Sequence, residues 1–310
     1  VVLFGGIKMK NKLFDSLVIG DLHYISSRQR AIKTAEESIF GVIKGKKFKN
    51  IILLGDLFEK KPTAFERCLL ADFLVRLRPF TETGFDYIVG NGRHTFEDGS
   101  IHEGDWIKLC QDFRAHEELT IDNFCFVHAE FKGTKYINGM TSQSNRIADK
   151  TKVYISGHIH SPICSFKNVN YVGSFYKTAF DQANDKKRIA FIQGNKIEWV
   201  EIASRPMYEI QVVGQAGKVK ASGLKTLQES GDKEIDLKIK VMTDSSSLAA
   251  THRAINKIQE GFAIEYYQQE IKINEVKMDV PEDLDQDALL RDYCKKRNID
   301  YTLVERELCK

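Results

Sequence analysis

With 310 residues the chain is long enough for about two domains with cores of ordinary size, which excludes a disulfide-stapled miniprotein. Its 42% hydrophobic, 10% aromatic and 29% charged residues supply enough apolar surface to offset chain entropy, which excludes a largely disordered chain. Lysine and arginine number 46 against 43 acids, a net charge of +3, so any face that binds nucleic acid has to be a local concentration of charge.

The chain opens on Val1 and carries Met9 just before the first apolar run, so residues 1–8 are expected to be an upstream or vector-derived leader. Residues 13–19 and 50–54 are compact apolar runs that end in Gly20-Asp21 and Gly55-Asp56, and 85–89 ends in Gly90-Asn91. Three strands thus give way to a turn glycine and a ligand-type residue. Between them, 27–46 carries Ile32, Ala35, Ile39 and Ile43 at helical spacing, and 64–77 carries Leu69, Leu70, Phe73, Leu74 and Leu77. A third helix is expected over 100–114, with Ser100 as N-cap and Glu103 in the capping-box position. Further strands are expected at 124–128, 152–156, 170–172, 188–193 and 196–202, with a polar loop over 132–150. The alternation is that of a layered α/β domain.

That rhythm stops at Ala203-Ser204-Arg205-Pro206. A strand at 207–213, a Gly/Lys-rich connection, a charged alternating strand at 235–242, a helix at 246–259 and a long strand at 263–273 make a small α+β module. After Pro281, the acidic Glu282-Asp283-Leu284-Asp285 suits a helix N-terminus, and Leu284, Leu289, Leu290 and Tyr293 form an apolar stripe. A second short helix is expected at 301–308. The domain reading is 9–203, 204–278 and 279–310.

Six cysteines (Cys68, Cys110, Cys125, Cys164, Cys294, Cys309) form no C-x-x-C pair. That disfavours a thiolate zinc site or a thioredoxin-like motif and fits reduced thiols in a cytoplasmic protein. The opening apolar residues are too few for a signal peptide, and no stretch approaches about 18 uninterrupted apolar residues, so neither secretion nor a membrane span is expected.

Five short segments place Asp, Asn and His where strands end: Asp21-Leu22-His23, Asp56, Asn91, His128 and His158-Ile159-His160. Singly, a Gly-Asp is a common turn and a lone histidine is usually packed or solvated. The D-x-H and H-x-H triplets say more, because residues two apart at a strand end project from one side and can reach one ion. Asp21, Asp56 and Asn91 recur every 35 residues, one strand-helix-strand unit, which would set them side by side at the carboxyl edge of a sheet. Two carboxylates, one amide and four imidazoles without sulfur favour manganese, iron or zinc over calcium. A carboxylate shared by two cations lowers the pKa of a water between them and clamps a phosphate oxygen, the chemistry of a phosphate-ester hydrolase.

In order, D-x-H, G-D, G-N, H and G-H-x-H over residues 20–160 resemble the motifs of the calcineurin-like metallophosphoesterases. The resemblance implies a four-layer αββα sandwich carrying two divalent metal ions, most suitably Mn2+. Asp21, His23 and His160 would bind the first, Asn91, His128 and His158 the second, and Asp56 would bridge. One block departs: the family's histidine directly after the Asn is replaced by Asn91-Gly92-Arg93-His94. Three alternatives stay open: His94 reaches the same place, Arg93 stabilises phosphate charge instead, or the step is crippled while metals still bind. Within the family the layout is most similar to the SbcD-type nuclease subunit of double-strand-break repair, including its smaller phage versions. Gly157-His158-Ile159-His160, then Tyr171-Val172-Gly173-Ser174, then 187–192 and 197–202 follow that group's order. The resemblance implies a DNA exonuclease and endonuclease, a capping domain that binds DNA, terminal helices that grip an SbcC-type coiled-coil ATPase, and a possible homodimer in the cytoplasm, that of the host if phage-encoded.

The remaining candidates have plainer readings. His102, His116 and His252 are expected to face solvent. The basic runs 44–49 and 186–188 either touch DNA phosphates or merely solvate turns. Tyr136 and Asn138 lie either along a nucleic-acid groove or in an ordinary surface loop. The stripe after Pro281 packs either on the capping module or on a partner helix. Against the nuclease stand a phosphatase or small phosphodiesterase using the same centre, and a non-catalytic DNA-end-binding scaffold.

Overall fold

The computed structural model describes residues 12–91, 113–162, 164, 166–273, 291 and 295. Residues 1–8, the Ser100 and Glu103 capping box, Arg93, His94, His102 and the expected C-terminal helices (Arg291 and Lys295 apart) lie outside the described residues.

Strands β1 (Lys12–Ile19), β2 (Lys46–Leu53), β3 (Phe85–Ile88) and β4 (Phe113–His116) run parallel and side by side. Helices α1 (Gln29–Ile43) and α2 (Ala64–Leu77) make the crossovers between the first three. Their apolar stripes cluster with Leu17, Ile19, Ile51 and Leu53, while the alternate residues Val18, Ile52 and Ile88 cluster with Phe124, Phe126 and Ile155 of a second sheet. Burial on both faces is why these strands read as continuous apolar runs instead of alternating ones. The second sheet has the order β5 (Glu118–Ile121), β6 (Phe124–Val127), β7 (Val153–Ser156), β8 (Val169–Tyr171). Strands β9 (Arg188–Gln193) and β10 (Lys196–Glu201) return antiparallel to close the first sheet beside β1.

A third sheet comprises β11 (Met207–Gln215), β12 (Lys218–Ser222), β13 (Glu234–Thr243) and β14 (Ala263–Ile273), with helices α3 (Leu224–Ser230) and α4 (Leu248–Glu260). It has its own apolar cluster, including Ile210, Leu237, Ile239 and Ile255. The protein is thus an α/β fold with three mixed sheets and, among the described residues, four α-helices. None of those helices is long and apolar enough to cross a membrane.

Four expectations need correction. The helix expected over 100–114 does not extend to its last residues: Phe113 and Arg114 belong to β4, where Phe113 pairs with Phe85 and the Arg114 guanidinium grips Asp86 at 2.8 and 3.0 Å. His116 bonds the same carboxylate at 2.9 Å instead of facing solvent alone. The first helix ends at Ile43, because Gly45 takes a left-handed φ of +72° just past it and β2 begins at Lys46. The Gly/Lys-rich connection holds β12 and α3, turned by Ala216 and Gly217, both at positive φ.

Both basic runs are largely consumed by the fold. Lys46 and Lys47 donate to the Val42 and Pro79 carbonyls, and Lys49 pairs with Asp15 at 2.5 Å. Lys187 is 1% exposed, and Arg188 lies over the Trp199 ring while donating to the Pro162 and Tyr171 carbonyls.

The third sheet is fastened to the first α/β unit by buried charge. Asp236, fully buried, accepts from Arg28 at 2.6 Å and from Arg205 at 3.3 Å, and Arg28 stacks on Tyr266. Glu265 accepts the N–H groups of Arg30 and Ala31 at 2.5 and 2.9 Å, so a carboxylate from β14 caps the positive end of α1. Asp236→Ala leaves the Arg28 guanidinium buried without this carboxylate and is expected to cost about 3–5 kcal/mol. The check is the urea midpoint, which should fall in Asp236→Ala and stay in place when the exposed Lys33 is replaced by Ala.

Candidate metal centre

All seven ligand candidates sit just past the carboxyl ends of parallel strands. Asp21 and His23 follow β1, Asp56 follows β2, Asn91 follows β3, His128 follows β6, and His158 and His160 follow β7. Strands β1, β2 and β3 are neighbours in one sheet and β6 and β7 in the other, so two sheet edges deliver side chains to one place. The loops are also tied by backbone: His23 N–H donates to Asp56 O at 2.8 Å, Ser174 N–H to His160 O at 3.1 Å and Phe175 N–H to Asp21 O at 3.2 Å.

Asp21, His23 and His160 form a buried group whose ligand atoms all lie within 4.8 Å of one another, a group that could hold a metal ion. The Nε2 atoms of His23 and His160 point at each other across 2.7 Å. Beside this group, Asp56 places Oδ2 3.3 Å from His128 Nε2 and 3.8 Å from His23 Nε2, while its Oδ1 accepts the Asn91 N–H at 2.9 Å. The Asn91 side-chain amide meets His158 Nδ1 at 2.6 Å, and His158 N–H donates to Asp21 Oδ1 at 3.0 Å.

The backbone is bent to make this possible. His23, Asp56 and His158 adopt positive φ of 45°, 41° and 77°, three of the six such non-glycine residues described. Conformations of this kind persist where surrounding contacts over-determine them, and they concentrate at functional sites. Two glycines act by close approach. A Cβ on Gly157 would stand 2.2 Å from Leu54 O and 2.4 Å from Asp21 Oδ1, and one on Gly90 would stand 2.2 Å from Asp56 Oδ1. The glycine that precedes each of these ligands is therefore a packing requirement of the site.

Two buried carboxylates dominate the electrostatics. Burial would raise the Asp21 carboxyl, but the hydrogen bond and charge of His128, with His160 and His23, hold it well below the usual range. Asp56 is lowered in the same way, against its own burial and the charge of Asp21. Burial lowers His128, yet Asp21 and Asp56 outweigh it and push its pKa up to about 10. Burial and the neighbouring His23 bring His160 down to about 4, and burial with the His128 charge lowers His158.

The donors fit a metal. Among the described residues, Asp21 Oδ2 and His128 Nε2 are buried with no hydrogen-bond partner. Two imidazoles hydrogen-bond the protein through Nδ1 and a third, His23, sets Nδ1 beside a carboxylate, so all three turn Nε2 inward. His23 Nδ1 lies 2.8 Å from Glu59 Oε2, His128 Nδ1 lies 2.6 Å from Leu54 O, and His160 Nδ1 lies 3.0 Å from Thr178 Oγ1. Such outer partners fix ring orientation and tautomer in metal sites.

Behind His160 the support continues into the core. Gln182 donates to Thr178 Oγ1 at 2.8 Å, and the buried Lys187 donates to Gln182 Oε1, His160 O and Ser174 Oγ at 2.7, 2.9 and 3.1 Å. All three ammonium protons are used. Burial, opposed by Asp185, lowers the Lys187 pKa to about 8. Glu59, Thr178, Gln182 and Lys187 were beyond sequence reasoning, since none stands in a spaced motif. Arg93 and His94 lie outside the described residues. A scan against protein-family models gives no match to this chain, and a search of curated proteins gives none.

Mn2+ titration by calorimetry checks the supporting contacts. Thr178→Val removes the Nδ1 partner of His160 and is expected to weaken binding by about 10–100-fold. On the expectation that His128 is a ligand and has to lose its proton to coordinate, binding in the unmodified chain should tighten as pH rises towards its pKa of about 10.

Proposed function

We propose that the chain is a dinuclear-metal phosphodiesterase of the calcineurin-like type that cleaves DNA. The observation that carries this reading is the position of Asp56, whose Oδ2 stands between the His23 and His128 imidazoles, next to both halves of the ligand set. On this reading Asp21, His23 and His160 hold one cation, Asn91, His128 and His158 hold the other, and Asp56 serves both. Two such ions, when bound, supply a water acidic enough to attack at neutral pH and a clamp for phosphate oxygens.

The chain's own contribution is orientation and charge. Glu59, Leu54 O and Thr178 keep three imidazoles turned inward, and the buried carboxylates set the local potential. His94 is the candidate to protonate the departing oxygen and Arg93 to stabilise charge on the phosphate. Helices on one face of the first sheet and a second sheet on its other face supply three layers in the order of that family's αββα sandwich, and among the described residues loop side chains such as Phe131 and Ile159 cover the outer face of the second sheet in place of a helix. The added module from β11 to β14 favours a polymeric substrate over a small phosphate ester, since it lies beyond the elements that build the centre. An SbcC-type coiled-coil ATPase bound by residues 279–310, a homodimer and a cytoplasmic location complete the reading.

Manganese-dependent cleavage of linear DNA by the isolated chain tests it. Asp56→Ala is expected to abolish cleavage, and His94→Ala to lower kcat by about 10²–10⁴-fold. Unchanged cleavage in Asp56→Ala would contradict the assignment, and metal binding without any turnover would favour the scaffold alternative.

A further inference from the structure

A cavity of about 570 Å3 opens against the metal centre, with His158 and His160 in its wall beside Tyr136, Ile137, Asn138 and Met140. Its size is that of a small-molecule site. We propose that this cavity is the subsite for the nucleobase of the nucleotide whose phosphate sits at the metals; the inference rests on the phosphodiesterase reading.

Charge selects the occupant. Among the described residues the lining includes the carboxylate Asp181 and neither lysine nor arginine, so it disfavours a second phosphate and suits the uncharged part of a phosphoester. Surface chemistry narrows it further. Ile137 and Met140 are apolar yet 53% and 62% exposed, and Tyr136 adds an aromatic ring, while Asn138 and Ser161 add hydrogen-bonding groups. An apolar face with polar groups around it matches a heterocyclic base, which offers a π-face to stack and an edge to bond.

The wall is also built in advance. Tyr136 N–H donates to Met140 O and Gly139 N–H to Tyr136 O, both at 2.9 Å, and Asn138 Oδ1 accepts the Met140 N–H at 3.0 Å. Lys135 and Thr141 form a bridge at the base of this turn, and Tyr136 packs on the Phe131, Tyr154 and Tyr171 cluster of the second sheet. A turn held this firmly, with large apolar side chains at its tip next to metal ligands, is the arrangement expected of a contact surface.

The test is calorimetric titration of the Mn2+-loaded full chain with thymidine 5′-monophosphate and, separately, with inorganic phosphate, comparing the unmodified protein with Ile137→Ser/Met140→Ser. Both side chains are exposed, so the fold tolerates the change, and an unaltered melting temperature verifies it. The double variant should bind the nucleotide about tenfold more weakly, the scale of one lost base stack, with phosphate affinity unchanged. Equal affinities for both proteins, or equal weakening of nucleotide and phosphate, would overturn the base subsite. Selective weakening without hydrolysis of a thymidine p-nitrophenyl phosphodiester would keep the subsite and remove the phosphodiesterase reading.

Discussion

Two carboxylates buried where two sheet edges meet are the constraint to which the rest of the structure answers. Asp21 and Asp56 are 0% and 1% exposed, and negative charge in such a place has to be matched by positive charge. The pull of both carboxylates raises the pKa of His128 to about 10 against its burial. Two other candidate ligands, His158 and His160, are driven towards the neutral form, the form that coordinates a metal. The positive φ values, the close glycines and the outer hydrogen bonds all hold this crowding in place.

Much of the site was legible because its residues occupy fixed places relative to the strands. The 35-residue recurrence of Asp21, Asp56 and Asn91 is the length of a strand and its crossover helix, and β1, β2 and β3 do lie side by side. The strands themselves were legible because burial on both faces leaves an apolar run. Residues 113–116 were not, since Phe113-Arg114-Ala115-His116 shows no strand alternation and is fixed in the sheet by Asp86, a partner about 30 positions away. Lys187 sits in a basic run that reads as surface, yet its ammonium lies in the core under His160, held by groups that only the fold brings together. The Arg28–Asp236 pair, 208 residues apart in sequence, was invisible for the same reason.

The distribution of charge bears on how a polyanion would be held. On the open side of the third sheet Lys238 pairs with Glu270 at 2.6 Å and Lys240 with Glu209 at 2.9 Å, while Lys218, Lys220 and Lys272 stand on the same face of the neighbouring strands, and the run 44–49 is largely engaged by its own fold. On the proposed reading, the metals hold the phosphate, and the cavity beside His158 and His160 adds contact with the base. The buried junction of Arg28, Arg205 and Asp236 sets how the third sheet stands to the loop that carries His23, through Tyr176, whose hydroxyl donates to His23 O at 2.8 Å under the Arg28 guanidinium.

Anomalous diffraction from Mn2+-soaked crystals is the most direct measurement of this centre. Two peaks are expected roughly 3.5–4 Å apart, one against Asp21, His23 and His160, the other against Asn91, His128 and His158, with Asp56 touching both. No peak at these seven side chains, in crystals where they stand as described, would contradict it.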